Sequence, residues 1–335
     1  MLTFIIIILG GCFLLYTLLG GADFGAGIVE TFAGRREEIT ISKAIAPVWE
    51  ANHVWLILAV VILFTGFPQV YSSLSLVLHI PLMLVLLGII CRGSAFTFRH
   101  YDVVNDNSHK YFTVLFRISS FITPVFLGMV LGAMMLGRIT LDTTKSFYDV
   151  FISPWFNIFC ISMGVFSACL FTYISATFLV GETKIDRERK MYVRFSKRAM
   201  LLCMLTGLLV FVTAEAEGYD LSGEFLLSTT SLVTLLLATI LCTVIWHFLN
   251  KEKNKTVYLR IGVGIQVTFI LIGWFYIQFP VLIRLQNGRH LTFFNTQAPG
   301  ATLEQLLIAL IAGLILVIPG FIYLFKIFKV RSNKL

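Results

Sequence analysis

Long apolar runs recur along the whole of this 335-residue chain, and most of its charged residues fall in the short stretches between them. No other feature constrains the fold so strongly. With 58% of residues hydrophobic and 13% charged, a water-soluble domain would expose apolar patches large enough to drive aggregation. A lipid bilayer removes that conflict. Each crossing takes roughly 20 residues, because about 30 Å of hydrocarbon is covered at about 1.5 Å per residue. The 31 Phe residues suit a lipid-facing surface with filled helix seams. The runs are continuous and lack period-two alternation, which excludes a β-barrel. The sequence therefore predicts an all-α, polytopic transmembrane protein of about nine helices.

The runs place those helices at about 2–29, 47–66, 74–97, 112–136, 154–180, 199–214, 225–249, 257–279 and 303–327 of a single membrane domain, 1–335. Pro47 then opens the second helix, where its missing N–H costs nothing. The loops alternate in charge. Those after the first, third, fifth and seventh helices hold sixteen basic residues, seven of them between Lys184 and Arg198. Those after the second, fourth, sixth and eighth hold only Arg138, Lys145, Arg284 and Arg289. By the positive-inside rule the odd loops and the tail with Lys326, Lys329, Arg331 and Lys334 are cytoplasmic, and the N-terminus is outside. The net charge of +8 is thus an orienting signal and not a nucleic-acid footprint. This sidedness permits two four-helix bundles with a ninth, peripheral helix.

The longest loops, about 25 residues, are too short for a soluble domain. There is no detectable repeat, low-complexity stretch, Walker or dinucleotide glycine pattern. Cys12, Cys91, Cys160, Cys169, Cys203 and Cys242 all lie in apolar runs, none as CxxC, and read as small buried residues. The first run lacks a basic n-region and continues past Cys12, so it reads as a retained helix, not a signal peptide or lipoprotein leader. Pro47, Pro68, Pro124, Pro154 and Pro280 are expected near helix ends, and only Pro81 and Pro319 well inside.

An ionisable group in hydrocarbon costs about 2.5–3.5 kcal/mol at a helix centre, so the exceptions carry the information. Asp23 lies among Gly20, Gly21, Ala22, Gly25, Ala26 and Gly27, a small-residue surface that lets another helix approach. It reads either as a packing residue bonded to a neighbouring backbone or as a proton carrier. Glu50 and His53 are three residues apart and share a helix face, as do Trp49 and Asn52. A carboxylate beside an imidazole can exchange protons near neutral pH. Equally, Glu50 in a first turn would complement the helix dipole, and His53 and the Trp residues would be interface anchors. His79 reads as structural ahead of a contact to a quinone head group or haem iron. Arg92 and Arg99 either snorkel or partner Asp23, Glu50 or a haem propionate. Arg117 is expected to snorkel, and Glu215, Glu217, Asp220 and Glu224 to form a solvated outer loop.

Gly21-Ala22-Asp23-Phe24-Gly25-Ala26-Gly27 and Pro47-Val48-Trp49-Glu50-Ala51-Asn52-His53-Val54-Trp55-Leu56 resemble subunit II of the bacterial cytochrome bd quinol oxidases. Phe67-Pro68-Gln69-Val70-Tyr71, Cys91-Arg92-Gly93-Ser94-Ala95-Phe96-Thr97-Phe98-Arg99 and Phe279-Pro280 follow in the same order. The match is most specific over the first hundred residues. The resemblance implies a multi-pass chain of the bacterial inner membrane, paired with a subunit I that carries two b-type haems and one d-type haem. The complex oxidises quinol, reduces oxygen to water and takes its protons from the cytoplasm, building a gradient without pumping. It implies no haem ligands in this chain, a structural quinone in some members, and room for a small accessory subunit. Asp23 and Glu50 match the family's acidic positions on a proton route, with His53 beside them and Trp49, Asn52, Arg92 and Arg99 in support. Two departures stand out. Glu50-Ala51 replaces the Asp-Gly of many members, and Gly20 stands where some have a further acid.

Two other functions compete with this one, a proton-coupled secondary transporter and a purely structural subunit. The favoured one predicts that Asp23→Asn and Glu50→Gln each slow oxygen reduction at least about tenfold, or roughly 1.4 kcal/mol of barrier, with haem content kept.

Overall fold

Nothing inside the apolar runs can satisfy a backbone N–H or C=O except the run itself, so each closes as a helix. The structure is a computed structural model that describes residues 1–33, 37–101, 108–142, 144–183, 185–251 and 256–334, without the side chains of 37–39, 43, 47, 50, 100, 101, 108, 109 and 324–334. The helices are α1 (Leu2–Phe32), α2 (Glu37–Gly66), α3 (Pro68–Val77), α4 (His79–Tyr101), α5 (Ser108–Leu136) and α6 (Phe147–Phe151). They continue with α7 (Ile158–Leu179), α8 (Asp186–Ala216), α9 (Leu221–Leu227), α10 (Thr229–Leu249), α11 (Thr256–Gln278) and α12 (Gly300–Lys334). A short antiparallel hairpin, β1 (Val281–Ile283) with β2 (Leu291–Thr292), precedes α12.

Among the described residues, eight of these helices are long and apolar enough to cross a membrane. Helix α2 makes a ninth when its segments Thr40–Ala46 and Ala51–Gly66, bent by 45°, are counted as one span. The protein is a multi-pass membrane protein, and about nine crossings is the right count. Several boundaries differ from the sequence expectation for one physical reason. Apolarity marks only the part of a helix that lies in hydrocarbon, whereas backbone hydrogen bonding continues into water. Thus α2 starts at Glu37 rather than 47, and α8 at Asp186 rather than 199. The run expected at 74–97 is two helices. Pro68 opens α3 at its first turn, and α4 begins at His79 after a turn at Leu78. Ser228 likewise ends α9 and caps α10, its hydroxyl accepting the Ser231 amide. Pro81 sits in the first turn of α4, not well inside it, and Pro124 is inside α5 rather than near an end.

The central helix is α1, packed on α2, α5 and α7. Helix α4 lies on α5, α5 on α7, α7 on α8 and α10 on α11, while α12 lies outside α2. The arrangement is two groups of four, α1-α2-α4-α5 and α7-α8-α10-α11, joined through α7. Close approach rests on small residues. A methyl on Gly25 would run into the Phe171 carbonyl oxygen of α7, and methyls on Gly128 and Gly164 would each meet backbone across the α5–α7 seam. Outward residues such as Ile57, Phe64, Leu208, Ile315 and Leu316 are exposed, as a lipid-facing surface requires. All six cysteines are free, with Cys12, Cys160, Cys203 and Cys242 buried.

Candidate functional site

On α1, Asp23 and Glu30 are seven residues apart; on α4, so are Arg92 and Arg99. Two helical turns separate the members of each pair, and the partners across the two helices are both 69 residues apart in sequence. The two helices therefore run parallel, in register, with two charge pairs stacked along them. Asp23 is fully buried and Arg92 is 1% exposed. The Arg92 guanidinium donates to both carboxylate oxygens of Asp23 at 2.6 and 2.7 Å, and to the Asp23 carbonyl at 2.7 Å. Its Nε donates to Ser120 Oγ of α5 at 3.0 Å. Asn52 of α2 donates to Asp23 at 2.7 Å. Such bidentate, charge-assisted bonds are what make a buried ion pair tolerable.

One step along, Glu30 is fully buried and accepts both arms of Arg99, at 2.8 and 3.0 Å, and Arg117 Nε of α5 at 3.2 Å. Ser42 of α2 accepts from Arg99 at 2.9 Å. The Phe116 ring lies between the two guanidinium groups, 4.8 Å from that of Arg92 and 4.5 Å from that of Arg99. Phe24 covers Arg92 from another side at 4.8 Å. Gly27 makes the column possible, because a methyl there would collide with Ser120. Four helices thus enclose five charged side chains, two acids and three arginines.

The second predicted group meets this column from α2. Asn52 is bound directly. His53 is part-buried, its ring edge-on to Trp49 at 6.1 Å. Trp49 packs on Phe96 of α4 at 5.3 Å. The Glu50 side chain lies outside the described residues, but its backbone is well inside α2, so the expected first-turn position and dipole contact are not found. The buried Nε1 of Trp49 and Oδ1 of Asn52 have no partner among the described residues.

These contacts decide one open reading and correct two others. Of the two alternatives for Arg92 and Arg99, both turn inward to carboxylates, Arg92 to Asp23 as one alternative had it and Arg99 to Glu30, because the pairing is available and lipid offers none. Arg117, expected to snorkel, holds Glu30 with 27% of its side chain exposed. The acidic loop is not merely solvated, since Glu217 pairs with Arg138 and Glu224 binds both arms of Arg284. There, burial and the hydrogen bond to Glu224 push the Tyr219 phenol up, so that it donates. His79 faces the Leu76 carbonyl at 2.9 Å and packs on Phe151, a structural setting. Sequence reasoning missed Glu30, which the expected helix end at 29 left outside hydrocarbon, and Ser120. The heptad echo between 23/30 and 92/99 was the available signal for Glu30.

Among the described residues no group of three or more His, Cys, Asp or Glu could hold a metal. The Nδ1 of His79 and of His290 already face backbone partners. What the column offers is fixed charge, buried acceptors and the imidazole of His53 beside them.

Residues 1–328 match the family model of cytochrome bd terminal oxidase subunit II. The chain is 26% identical over 326 residues to cytochrome bd ubiquinol oxidase subunit 2 of Bacillus subtilis, covering 95% of this chain and 93% of that one. It is 26% identical over 216 residues to cytochrome bd-I ubiquinol oxidase subunit 2 of Escherichia coli, covering 61% and 55%. In fold it is similar to a chain of the bd oxidase from Geobacillus thermodenitrificans, with a TM-score of 0.79, 20% identity and 98% of both chains covered.

Proposed function

The chain belongs to the cytochrome bd terminal oxidase subunit II family, and from that premise we propose that it delivers protons to a haem-bearing partner. The partner is subunit I, which holds the b- and d-type haems. The complex oxidises quinol and reduces oxygen to water, drawing its protons from the cytoplasm. The end of the molecule that holds Glu30, Arg99 and Arg117 faces the cytoplasm, and the N-terminus of α1 faces outward. Membership of an oxidase family leaves no place for the transporter reading.

The observation that carries the proposal is the enclosed set Asp23, Asn52, His53 and Arg92, held by three helices with Asp23 and Asn52 fully buried. Ionisable side chains within a membrane mark ion or proton routes more often than packing. Glu50 and His53 take up protons, since an imidazole changes charge near neutral pH. Asp23, gripped by Arg92, stays fixed in place and sets the field along the route. A purely structural role is the second reading, and the bidentate Asp23–Arg92 pair is what favours it.

Glu50→Gln in the assembled complex separates the two. It keeps size and polarity but cannot carry a proton, and general acid–base groups contribute about 10²–10⁴-fold. Oxygen reduction should fall at least about tenfold with haem content unchanged. Normal turnover in a fully haem-loaded Glu50→Gln complex sinks the relay and leaves the structural reading. The same proposal assigns no haem ligand to this chain. Expressed alone it should show no stoichiometric haem spectrum, and a stoichiometric one would refute that assignment.

A further inference from the structure

Tyr16 lies on the same face of α1 as Asp23 and Glu30, two turns before Asp23. A helical side chain ordinarily slants back toward the N-terminus. The Tyr16 ring goes the other way and lies over Gly20, where a methyl would sit 3.4–3.6 Å from Cε2, Cδ2 and Cζ. Gly20 is one turn from Asp23, about 4.5 Å along the axis. The ring edge of Tyr16 thus covers the small-residue step between it and Asp23. The side chain is 5% exposed, yet its hydroxyl has no partner among the described residues. Asn52 Oδ1, on the residue that grips Asp23, is buried and unpartnered too. Leaving such a group unsatisfied carries the full penalty of its desolvation. Buried water commonly removes that cost by bonding to two or more polar groups.

We propose that the Tyr16 hydroxyl and Asn52 Oδ1 bind internal water beside Asp23 and carry the proton path beyond Asp23 toward the N-terminal half of α1. This rests on the relay reading above. The water donates to Asn52 Oδ1 and exchanges with the phenol. The Tyr16 oxygen accepts a proton from one water as it releases its own to the next, so the phenol is regenerated without net charge. Tyr16 is a positioning and transfer group, not a residue that touches oxygen or quinol.

The test follows the fully reduced, assembled complex through a single turnover with oxygen, in H2O and D2O and across pH, for Tyr16→Phe and Glu50→Gln. Tyr16→Phe keeps the ring and removes only the hydroxyl. It should keep full haem content, slow the proton-coupled step about threefold to tenfold, and raise its solvent isotope effect. If Tyr16→Phe behaves as the parent while Glu50→Gln is slow, Tyr16 only packs and this inference is overturned with the relay intact. If both behave as the parent, the relay reading falls and takes the inference with it.

Discussion

A guanidinium in the middle of a membrane protein has few tolerable environments, and Arg92 has the best of them. Two carboxylate oxygens, a carbonyl and a hydroxyl accept its protons, and two rings cover its faces. Removing one partner leaves the other charge stranded, which costs about 3–5 kcal/mol, whereas removing both is far milder. Asp23→Asn and Arg92→Gln alone should each lower the thermal midpoint of the complex sharply, and the double variant should recover most of the loss. Thermal unfolding of the three variants in detergent measures this; an additive double variant would mean that the two residues do not act as a pair. The same coupling explains why Asp23→Asn is a poor test of proton transfer. Its effect mixes a lost carboxylate with an orphaned Arg92. Much of this site was legible in the sequence. Asp23, Asn52, His53 and Arg92 stood out because polar groups in apolar runs are rare. Which arginine meets which acid was not legible, because pairing depends on helix register. Glu30 was missed since the apolar count stops one residue before it.

Among the elements, α1 decides how tightly the two groups of helices meet, and its glycines differ in a way that composition does not reveal. At Gly25 an added methyl runs into a rigid backbone oxygen of α7, whereas at Gly21 it meets the mobile tip of Ile174 at 2.8 Å, and at Gly10 and Gly11 nothing lies within 4 Å. Overpacking of this kind costs about 1–3 kcal/mol. Gly25→Ala should therefore destabilise by at least the upper end of that range, Gly21→Ala by less, and Gly10→Ala by nothing measurable. Thermal midpoints of the three complexes give the ordering, and equal losses would contradict the α1–α7 contact. The sequence suggested this face through its glycine and alanine spacing. It could not say which helix fills it, since α7 lies more than a hundred residues away. The helix count was readable and the ends were not. The charged turns of α2 and α8 look like loops to any apolarity measure, and only backbone hydrogen bonding shows them to be helical.

For the whole molecule, the charge asymmetry takes on a different physical form once the helices are in place. The basic residues counted as loop charges ride largely on helix ends: Arg99 on α4, Lys110 on α5, Arg187 to Arg198 on α8 and Arg260 on α11. With 31 residues, α8 is about 46 Å long at about 1.5 Å per residue, well beyond the roughly 30 Å of hydrocarbon. Its basic first turns must stand clear of the hydrocarbon. At that same end Arg260 pairs with Glu182 and Lys197 bonds to Asn250. The opposite end carries the Arg138–Glu217 and Arg284–Glu224 pairs, so two of its four cations are neutralised by acids. The larger share of positive charge is thus gathered at one end, and a cytoplasmic position for that end is what the positive-inside rule predicts. Single cysteines placed at Arg189 and at Asn287, in a background without the native thiols, should therefore label differently from outside the cell. A membrane-impermeant maleimide should modify the cysteine at 287 in intact cells and that at 189 only after the membrane is opened. Strong labelling at 189 in intact cells would invert the orientation. It would also turn the Glu30 end of the column away from the cytoplasm, and the proposed direction of proton entry would fail with it.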